Sequence, residues 1–257
     1  MNPLNPLALV TACICGILSP ALESAPLREL STDRPDTTES ACSVDRGHFQ
    51  TEWELAAFTR DGGEWTEYSL GELNLKYGLT DHMDLQWVLP FFTHARQGDE
   101  GFGDMSVRLK TNLWGNDGGD TAMAVMPFVK LPTARGDLGN DEFEGGVMVP
   151  FSFAAPGNWS CAVMGELDLV ADDDGGGYHL VGLVSATASH GLTENTAGFL
   201  ELVGIFSAET SDATEAYFNT GFTWAIAERW QVDGGLRIGL NSAAADLTPF
   251  MGLSTKF

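Results

Sequence analysis

Basic residues and long apolar runs are both scarce in this chain of 257 residues. The chain has 13 lysines and arginines against 36 aspartates and glutamates, which gives a formal net charge of −23. So acidic a surface repels phosphate groups, and nucleic acid is therefore excluded as a partner. No apolar run reaches the roughly 18–20 residues that a membrane-spanning helix requires. Apolar residues nevertheless make up 44% of the chain, which excludes a disordered protein.

Cysteine is rare as well, with four in the chain. Two of them, Cys13 and Cys15, precede the region in which we expect the folded protein. Cys42 and Cys161 remain, and they either pair in an oxidising compartment or persist as two separate thiols. No Cys-x-x-Cys, His-Glu-x-x-His or Gly-x-Ser-x-Gly motif is present. We therefore predict no catalytic residue, no metal site and no cofactor.

Two acidic stretches, residues 116–120 and 172–177, concentrate oxygen ligands in a short span. Neither has the spaced ligands and the bidentate glutamate of an EF-hand loop. Aspartate, asparagine and glycine favour turns, so we interpret both stretches as solvated turns. We predict no metal-binding or catalytic role for the five histidines, His48, His82, His94, His179 and His190.

Residues 7–22 form a short apolar core that ends in small residues. This pattern is typical of a secretory signal, and both its length and Pro20 argue against a membrane span. We predict a signal peptide over residues 1–21, with cleavage after Ala21, and hence export. Lipidation at Cys13 and a buried first strand are the two alternatives.

The remainder of the chain, from residue 48 to residue 257, alternates apolar with polar side chains in about twelve segments. Clusters of glycine, aspartate, asparagine and threonine separate these segments. An alternation of period two is typical of strands whose two faces meet different environments. Each segment is close to the ~9–11 residues that a tilted strand needs to cross a bilayer. The pattern therefore predicts an all-β fold.

The polar face distinguishes a membrane barrel from a soluble β-sandwich, in which the apolar face would point inward. Aromatic residues lie near strand ends on the apolar face, as in the interfacial girdles of membrane barrels: Trp53, Trp87, Phe91, Trp159, Trp224, Trp230 and Phe257. Charges of both signs lie on the polar face. We predict a closed antiparallel transmembrane β-barrel of about 12 strands over residues 48–257, with these charges lining its lumen: Glu52, Glu54, Lys76, Asp84, Arg108, Lys110, Lys130, Glu144, Glu166, Asp168, Glu201, Asp233 and Arg237.

The connections between segments form two sets. Shorter connections are predicted near residues 80–82, 115–120, 154–158, 190–195 and 227–229. Mostly longer ones are predicted near residues 60–66, 93–102, 132–142, 171–177, 207–213 and 241–246. Outer-membrane barrels have short periplasmic turns and longer external loops, which this division matches.

A polar segment precedes the first strand and resembles the opening of a known family. The residues that carry the resemblance are Thr32 to Ser40, Val44, Gly47 to Gln50, Glu52, Lys130 to Thr133 and the terminal Phe257. They resemble a bacterial outer-membrane transporter family labelled for the meta pathway of phenol degradation. This resemblance implies an outer-membrane β-barrel that passes small, often hydrophobic molecules. Ala41-Cys42 departs from the family, whose members usually have proline after the serine.

Residues 22–47 form this polar N-terminal segment, and we predict that they fold into the lumen as a plug. Its charged members are Asp33, Arg34, Asp36 and Glu39. Arg34 is expected to pair with an inward carboxylate such as Glu52 or Glu166, because guanidinium binds carboxylates bidentately. A periplasmic tail and a structural cap on the barrel mouth are the alternatives.

The function predicted from these features is passive uptake or efflux of a small solute, hydrophobic or aromatic in type, across the outer membrane. No enzymatic activity is expected. The predicted partners are outer-membrane lipid, the solute and, through Phe257, the barrel-assembly machinery. Three alternatives remain: a soluble exported β-sandwich that binds a ligand, a structural barrel, and a barrel that modifies lipid.

Overall fold

Twelve long antiparallel strands form the wall of this protein, and a two-residue strand is added beside them. The computed structural model describes residues 27–95, 98, 100–134, 136–172, 176–209 and 213–257. The predicted signal peptide, residues 1–21, lies outside the described residues. Within them, no helix is long and apolar enough to cross a membrane.

The strands follow one another along the chain with a single 3₁₀ turn, Gly136–Leu138, between the sixth and seventh. Their bounds are β1 Phe49–Asp61, β2 Glu64–Thr80, β3 Met83–Ala95, β4 Glu100–Gly101, β5 Met105–Trp114, β6 Thr121–Leu131, β7 Glu144–Ala155, β8 Trp159–Ala171, β9 Tyr178–Gly191, β10 Thr196–Ser207, β11 Glu215–Ala227, β12 Trp230–Gly239 and β13 Leu247–Lys256.

Hydrogen bonding closes these strands into a ring. Each long strand pairs with its neighbours in sequence, β3 pairs with β5, and β1 pairs with both β2 and β13. The short β4 pairs with β3 at two positions. A closed ring leaves no strand edge unpaired, which is the condition for placing strands in lipid. The predictions of an all-β fold and of about 12 strands in a closed antiparallel barrel are confirmed.

The two ends of the barrel differ in their connections. The five predicted short connections all join consecutive strands at one end, which we call the turn end, and Phe257 lies there too. The opposite end, the loop end, carries the longer connections. The predicted loop at residues 60–66 is wrong in length, since β1 and β2 are joined by Gly62 and Gly63 alone. Both glycines have positive φ, which permits a two-residue hairpin turn.

The wall is apolar outside and polar inside, the reverse of a soluble protein. Leu167, Leu169, Val184 and Leu202 are among the large apolar side chains exposed on the outer face. Most of the largest fully buried side chains, apart from Met126 and Pro150, are instead polar or charged, including Lys76, Lys110, Gln50, Gln86, Glu52, Glu201, Asp84 and Asp233. An apolar belt around a polar interior is the arrangement of a membrane barrel and excludes the sandwich alternative.

Candidate functional site

The chain before β1 folds into the barrel as a loop, and we call residues 31–44 the N-terminal strap. Its two limbs meet at the turn end, where Arg28 contacts Asp45 at 2.9 Å. Lys256, at the end of β13, donates to the carbonyl oxygens of Arg28 at 2.6 Å and Glu29 at 3.0 Å, and to Asp45 at 3.0 Å. One ammonium group thus fixes both limbs of the loop to the barrel mouth.

Gly78 on β2 accommodates the second limb. The N–H of Gly47 donates to the Gly78 carbonyl at 2.8 Å, and the Gly78 N–H donates to the His48 carbonyl at 3.0 Å. A Cβ atom at Gly78 would collide with the Asp45 carbonyl. A residue with a side chain could not pair here without displacing the limb.

Asp33 lies at the centre of the strap's contacts. Its carboxylate accepts from Lys110 at 2.5 Å and from Lys76, and Lys76 also contacts Glu52. Burial opposes ionisation of Asp33, but the charges of Lys110 and Lys76 together hold its pKa well below its usual range. This ionised carboxylate therefore joins Lys76 on β2 to Lys110 on β5. Glu52 on β1 is linked through Lys76 and accepts from the backbone N–H of Asp33 at 2.9 Å.

Arg34 connects two carboxylates across the barrel seam. Its guanidinium contacts Asp233 on β12 at 2.8 Å and Glu54 on β1 at 3.1 Å. Glu52 accepts from the backbone N–H of Arg34 at 3.0 Å rather than from its side chain. The predicted side-chain pairing of Arg34 with Glu52 or Glu166 is therefore wrong, because the guanidinium points to the next carboxylate along the β1 face, Glu54.

A glycine on β13 makes room for this guanidinium. A Cβ atom at Gly252 would meet the Arg34 side chain. Arg237 contacts Glu54 from the other side at 2.8 Å, and its guanidinium lies over the Phe250 ring at 4.5 Å. Glu54 thus receives two guanidinium groups, one from the strap and one from the wall.

Glu201 on β10 binds the far side of the strap. It accepts from the N–H of Thr37 at 2.9 Å and from both the N–H and the hydroxyl of Thr38, at 2.8 and 2.7 Å. The Thr38 hydroxyl also lies 2.7 Å from that of Ser185 on β9, and Asn219 on β11 donates to Glu201 at 2.8 Å. The strap therefore contacts strands on opposite sides of the ring.

Asp36 and Glu39 are acidic residues of the strap in surroundings that favour their neutral forms. Burial and then the nearby charge of Glu201 raise the pKa of Asp36 to about 7. Burial and then the charge of Asp33 raise the pKa of Glu39 to about 8, although Arg108 lies 2.8 Å from one of its oxygens. The second Glu39 oxygen is buried without a hydrogen-bond partner.

The outgoing limb of the strap is held by amide and carboxylate side chains. Asn112 on β5 donates to the Ala41 carbonyl at 2.8 Å. The backbone N–H of Ser43 donates to Asn116 at 2.8 Å, and that of Val44 donates to Asp84 at 2.8 Å. With these bonds, the strap contacts polar side chains from β1, β2, β3, β5, β9, β10, β11 and β12.

The remaining charged residues predicted for the lumen lie towards the loop end. Lys130 contacts Glu144 at 2.7 Å and Asp104 at 3.3 Å, which links β6 to β7 and to the chain before β5. Glu166 and Asp168 lie two residues apart on β8. Neither makes direct contact with the strap, and Glu166 faces it across a cavity.

Two cavities lie on opposite sides of the strap. The turn-side cavity has a volume of about 800 Å³, and its lining includes Cys42 on the strap and Cys161 on β8, both free thiols. The loop-side cavity, of about 380 Å³, is lined by strap residues and by wall residues that include Arg108, Met148 and Glu166. No residue lines both cavities.

Sequence reasoning missed several residues that hold the strap. Asn219 and Asn112 were not singled out because an uncharged polar residue on a strand carries no signal of its own, and Thr38 was named only as part of the segment from Thr32 to Ser40. The inward orientation of Asn112 and Asn219 was predictable from the sequence, since Asn112 alternates with Leu113 and Asn219 with Phe218. The hydrogen-bond partners of these residues could not be predicted from the sequence, because partners such as Thr38 and Glu201 are 163 residues apart.

The known proteins that resemble this chain share the architecture described above. Residues 32–257, the strap together with the whole barrel, match the family described as "Putative MetA-pathway of phenol degradation". The chain belongs to this family. The match begins within the strap rather than at the first strand, so the family includes the segment that fills the lumen.

Solved structures share the fold of this family member at low sequence identity. An outer-membrane channel from Pseudomonas putida F1 has a TM-score of 0.65 at 15% identity, covering 85% of this chain and 98% of that chain. The NanC porin has a TM-score of 0.58 at 9% identity, covering 81% of this chain and 100% of that one. No curated protein matches the chain. Together with the apolar outer belt, the family and these folds identify the chain as an outer-membrane β-barrel.

Proposed function

We propose that this barrel is a passive channel for a small solute and that the N-terminal strap is its plug. The observation that carries this proposal is the position of the strap across a polar lumen, between two cavities that share no lining residue. A solute that enters from either end meets the strap. Passage then requires the strap to shift or to leave a narrow path beside it.

The charged residues of the wall are proposed to act as the pore lining. Eight of the thirteen residues predicted from the sequence are carboxylates and five are cations. The strap adds Asp33 and Arg34, which are of opposite charge, while the raised pKa values of its other two acids, about 7 for Asp36 and about 8 for Glu39, favour their neutral forms. Rings of charged side chains set the ion preference of a pore, and an excess of carboxylates favours cations.

The loop-side cavity suggests which solutes the channel admits. Its volume of about 380 Å³ is within the range of small-molecule pockets. Met148, Met164 and Val88 provide apolar surface beside the guanidinium groups of Arg34 and Arg108. Guanidinium planes stack on aromatic rings, so a small ring compound with a polar substituent suits this lining. The description of the family, which names phenol degradation, supports a ring compound, and the outer-membrane channel from Pseudomonas putida F1 supports a channel function.

No chemical reaction is part of this proposal. Diffusion down a gradient requires a lined path and no nucleophile or general base. Three titratable groups of the strap, Asp33, Arg34 and Glu39, contact barrel-wall side chains of opposite charge. Their role in the proposal is to hold the plug.

Planar-bilayer recording of the purified barrel tests the channel. We expect small, stable conductance from the wild-type protein and several-fold larger conductance when residues 31–44 are replaced by a glycine-serine linker of equal length. Migration on gels before and after boiling serves as the control for folding of both proteins. A folded barrel that conducts neither with nor without the strap would favour the structural alternative and overturn the proposal.

Assembly through Phe257 is a second, separate proposal. Phe257 is the last residue, is 58% exposed and stacks on Phe49 with ring centroids 6.1 Å apart. Its backbone pairs with Phe49 at 2.8 and 2.9 Å, so the ring is presented at the closing seam. We expect Phe257→Ala to lower the amount of folded barrel in cells but not refolding from urea into detergent. An equal loss in both assays would indicate a stability role instead.

A further inference from the structure

Three metal-ligating side chains meet at the loop end, away from the strap. They are Asp172, which follows β8, His179 near the start of β9, and Glu209, which follows β10. One ligand atom of each lies within 4.8 Å of the other two. The Nδ1 atom of His179 is 2.8 Å from Asp172 and 3.6 Å from Glu209. We propose that these three residues form a binding site for a divalent transition-metal ion.

The backbone holds the three ligands in place. The N–H of Asp172 donates to the Gly177 carbonyl at 3.1 Å, which closes the connection between β8 and β9. Beside Glu209, the N–H of Ala208 donates to the Leu180 carbonyl at 2.8 Å. The N–H of Glu209 itself donates to the Ser207 hydroxyl at 3.1 Å. Strand pairing thus fixes the spacing of the three side chains before any ion binds.

The ligand spacing suits a first-row divalent ion. Bonds of about 2.0–2.2 Å to such an ion place neighbouring ligand atoms about 3.3–3.6 Å apart in tetrahedral geometry and about 2.8–3.1 Å apart in octahedral geometry. The distances from Nδ1 of His179, 2.8 Å to Asp172 and 3.6 Å to Glu209, lie within the span of these two geometries. Water molecules would complete the coordination, because only three protein ligands meet here.

The donor set indicates which ions bind best. A neutral imidazole with two carboxylates carries a charge of −2, which matches a divalent cation. Imidazole favours Zn²⁺, Ni²⁺ or Fe²⁺ over Ca²⁺ and Mg²⁺, which prefer oxygen ligands throughout. Coordination through Nδ1 requires the proton on Nε2, the tautomer that leaves Nδ1 as an acceptor.

An ion at this position would join two connections at the mouth of the lumen. Val170, the partner of His179 across β8 and β9, is flanked by the outward-facing Leu169, so His179 points inward. Its side chain is 14% exposed. A bound ion would therefore link the β8–β9 connection to the β10–β11 connection at the loop end of the lumen. The sequence could not indicate this site, since its ligands are separated by 7 and 30 positions.

Calorimetric titration of Zn²⁺ into the folded, metal-free barrel tests the site. The protein is purified in detergent with a tag that lacks histidine, and Ca²⁺ is titrated in parallel. We expect one saturable Zn²⁺ site that is weakened at least about tenfold by His179→Ala and by Glu209→Gln. Ca²⁺ is expected to bind more weakly than Zn²⁺. The absorption bands of Co²⁺ bound to the wild-type protein provide a direct readout of coordination.

The chain provides a matched control at the same end of the barrel. His94 lies 3.1 Å from Glu100, a histidine paired with one carboxylate. We expect His94→Ala to bind Zn²⁺ as the wild type does. Absence of saturable Zn²⁺ binding, or equal binding by His179→Ala, would overturn the proposal, and the cluster would then be a hydrogen-bonded ion pair. Binding of Ca²⁺ in preference to Zn²⁺ would also overturn it, since the imidazole would then have no role.

Discussion

At the scale of single residues, Arg34 makes the contacts that fix the first part of the strap to the barrel wall. Its guanidinium lies between Asp233 and Glu54 and uses a different nitrogen for each, whereas a lysine at this position would offer a single ammonium nitrogen. Removing one partner of a buried ion pair leaves an uncompensated charge and costs about 3–5 kcal/mol. Release of the strap offers the protein a way to rehydrate both carboxylates.

We therefore expect Arg34→Ala to raise single-channel conductance several-fold and Arg34→Lys to raise it less. Bilayer recording of the two variants at equal salt measures the effect. Arg60, an exposed residue in the part of β1 that extends beyond the strap, provides a control in Arg60→Ala. Wild-type conductance in Arg34→Ala would show that this residue does not hold the plug.

The two acids of the strap predict how its docking depends on pH. The pKa of Asp36 is raised to about 7 and that of Glu39 to about 8, both mainly by burial. Their neutral forms therefore favour the docked strap. This contribution is complete below the ordinary pKa values of 3.8 and 4.5, declines as pH rises from there, and is fully lost above about 7 and 8. Asp33 acts in the opposite direction. Its pKa is lowered by Lys110 and Lys76, so its contribution is present above its ordinary value of 3.8 and lost in acid.

Conductance should accordingly be lowest near pH 4, rise progressively between about pH 4 and pH 8 as docking weakens, and rise again in acid as Asp33 becomes protonated. Recording at pH values across this range tests the rise of conductance with pH. Glu39→Gln should reduce this rise, because an amide does not ionise. The groups that face Glu39 are Asp33, Arg108 and Lys110. Conductance that is independent of pH in both proteins would contradict the account.

At the scale of the elements, strand positions were predictable and the path of the strap was not. Period-two alternation in segments such as Leu73 to Tyr77 indicated the strands, and clusters of turn residues indicated their ends. The largest error in length was at the β1–β2 connection, because a pair of glycines can turn in two residues. Alternation also gave the inward phase of the charged residues. The partners of each charge remained hidden, since barrel register places residues from distant strands side by side.

The position of the strap can be tested by crosslinking. Cys42 on the strap and Ser160 on the inward face of β8 both line the turn-side cavity. In a Ser160→Cys, Cys161→Ser variant, a flexible bis-maleimide should therefore join positions 42 and 160 in the folded barrel within native outer membranes, while Cys161→Ser alone should give no crosslink. The crosslinked barrel should also keep its low conductance at alkaline pH, because its strap cannot leave. Failure to crosslink in membranes, with crosslinking only after unfolding, would place the strap outside the lumen.

At the scale of the whole molecule, the interior carries the same sign of charge as the chain. The lining that we propose has an excess of carboxylates, and the complete sequence has a net charge of −23. Fields of one sign within a narrow, low-dielectric wall are focused and raise the local concentration of counter-ions. The channel should therefore prefer cations, and the preference should weaken as salt rises.

Charge reversal at one position of the wall tests this expectation. Glu166 lines the loop-side cavity without contacting the strap, so Glu166→Lys changes the lining and leaves the plug contacts intact. We expect this variant to shift the reversal potential in a KCl gradient towards that of an anion-preferring pore. The adjacent Leu167 is 49% exposed on the lipid face, so Leu167→Ala should leave the reversal potential unchanged. Equal reversal potentials in the wild type and in Glu166→Lys would mean that ions pass by a route that these charges do not line.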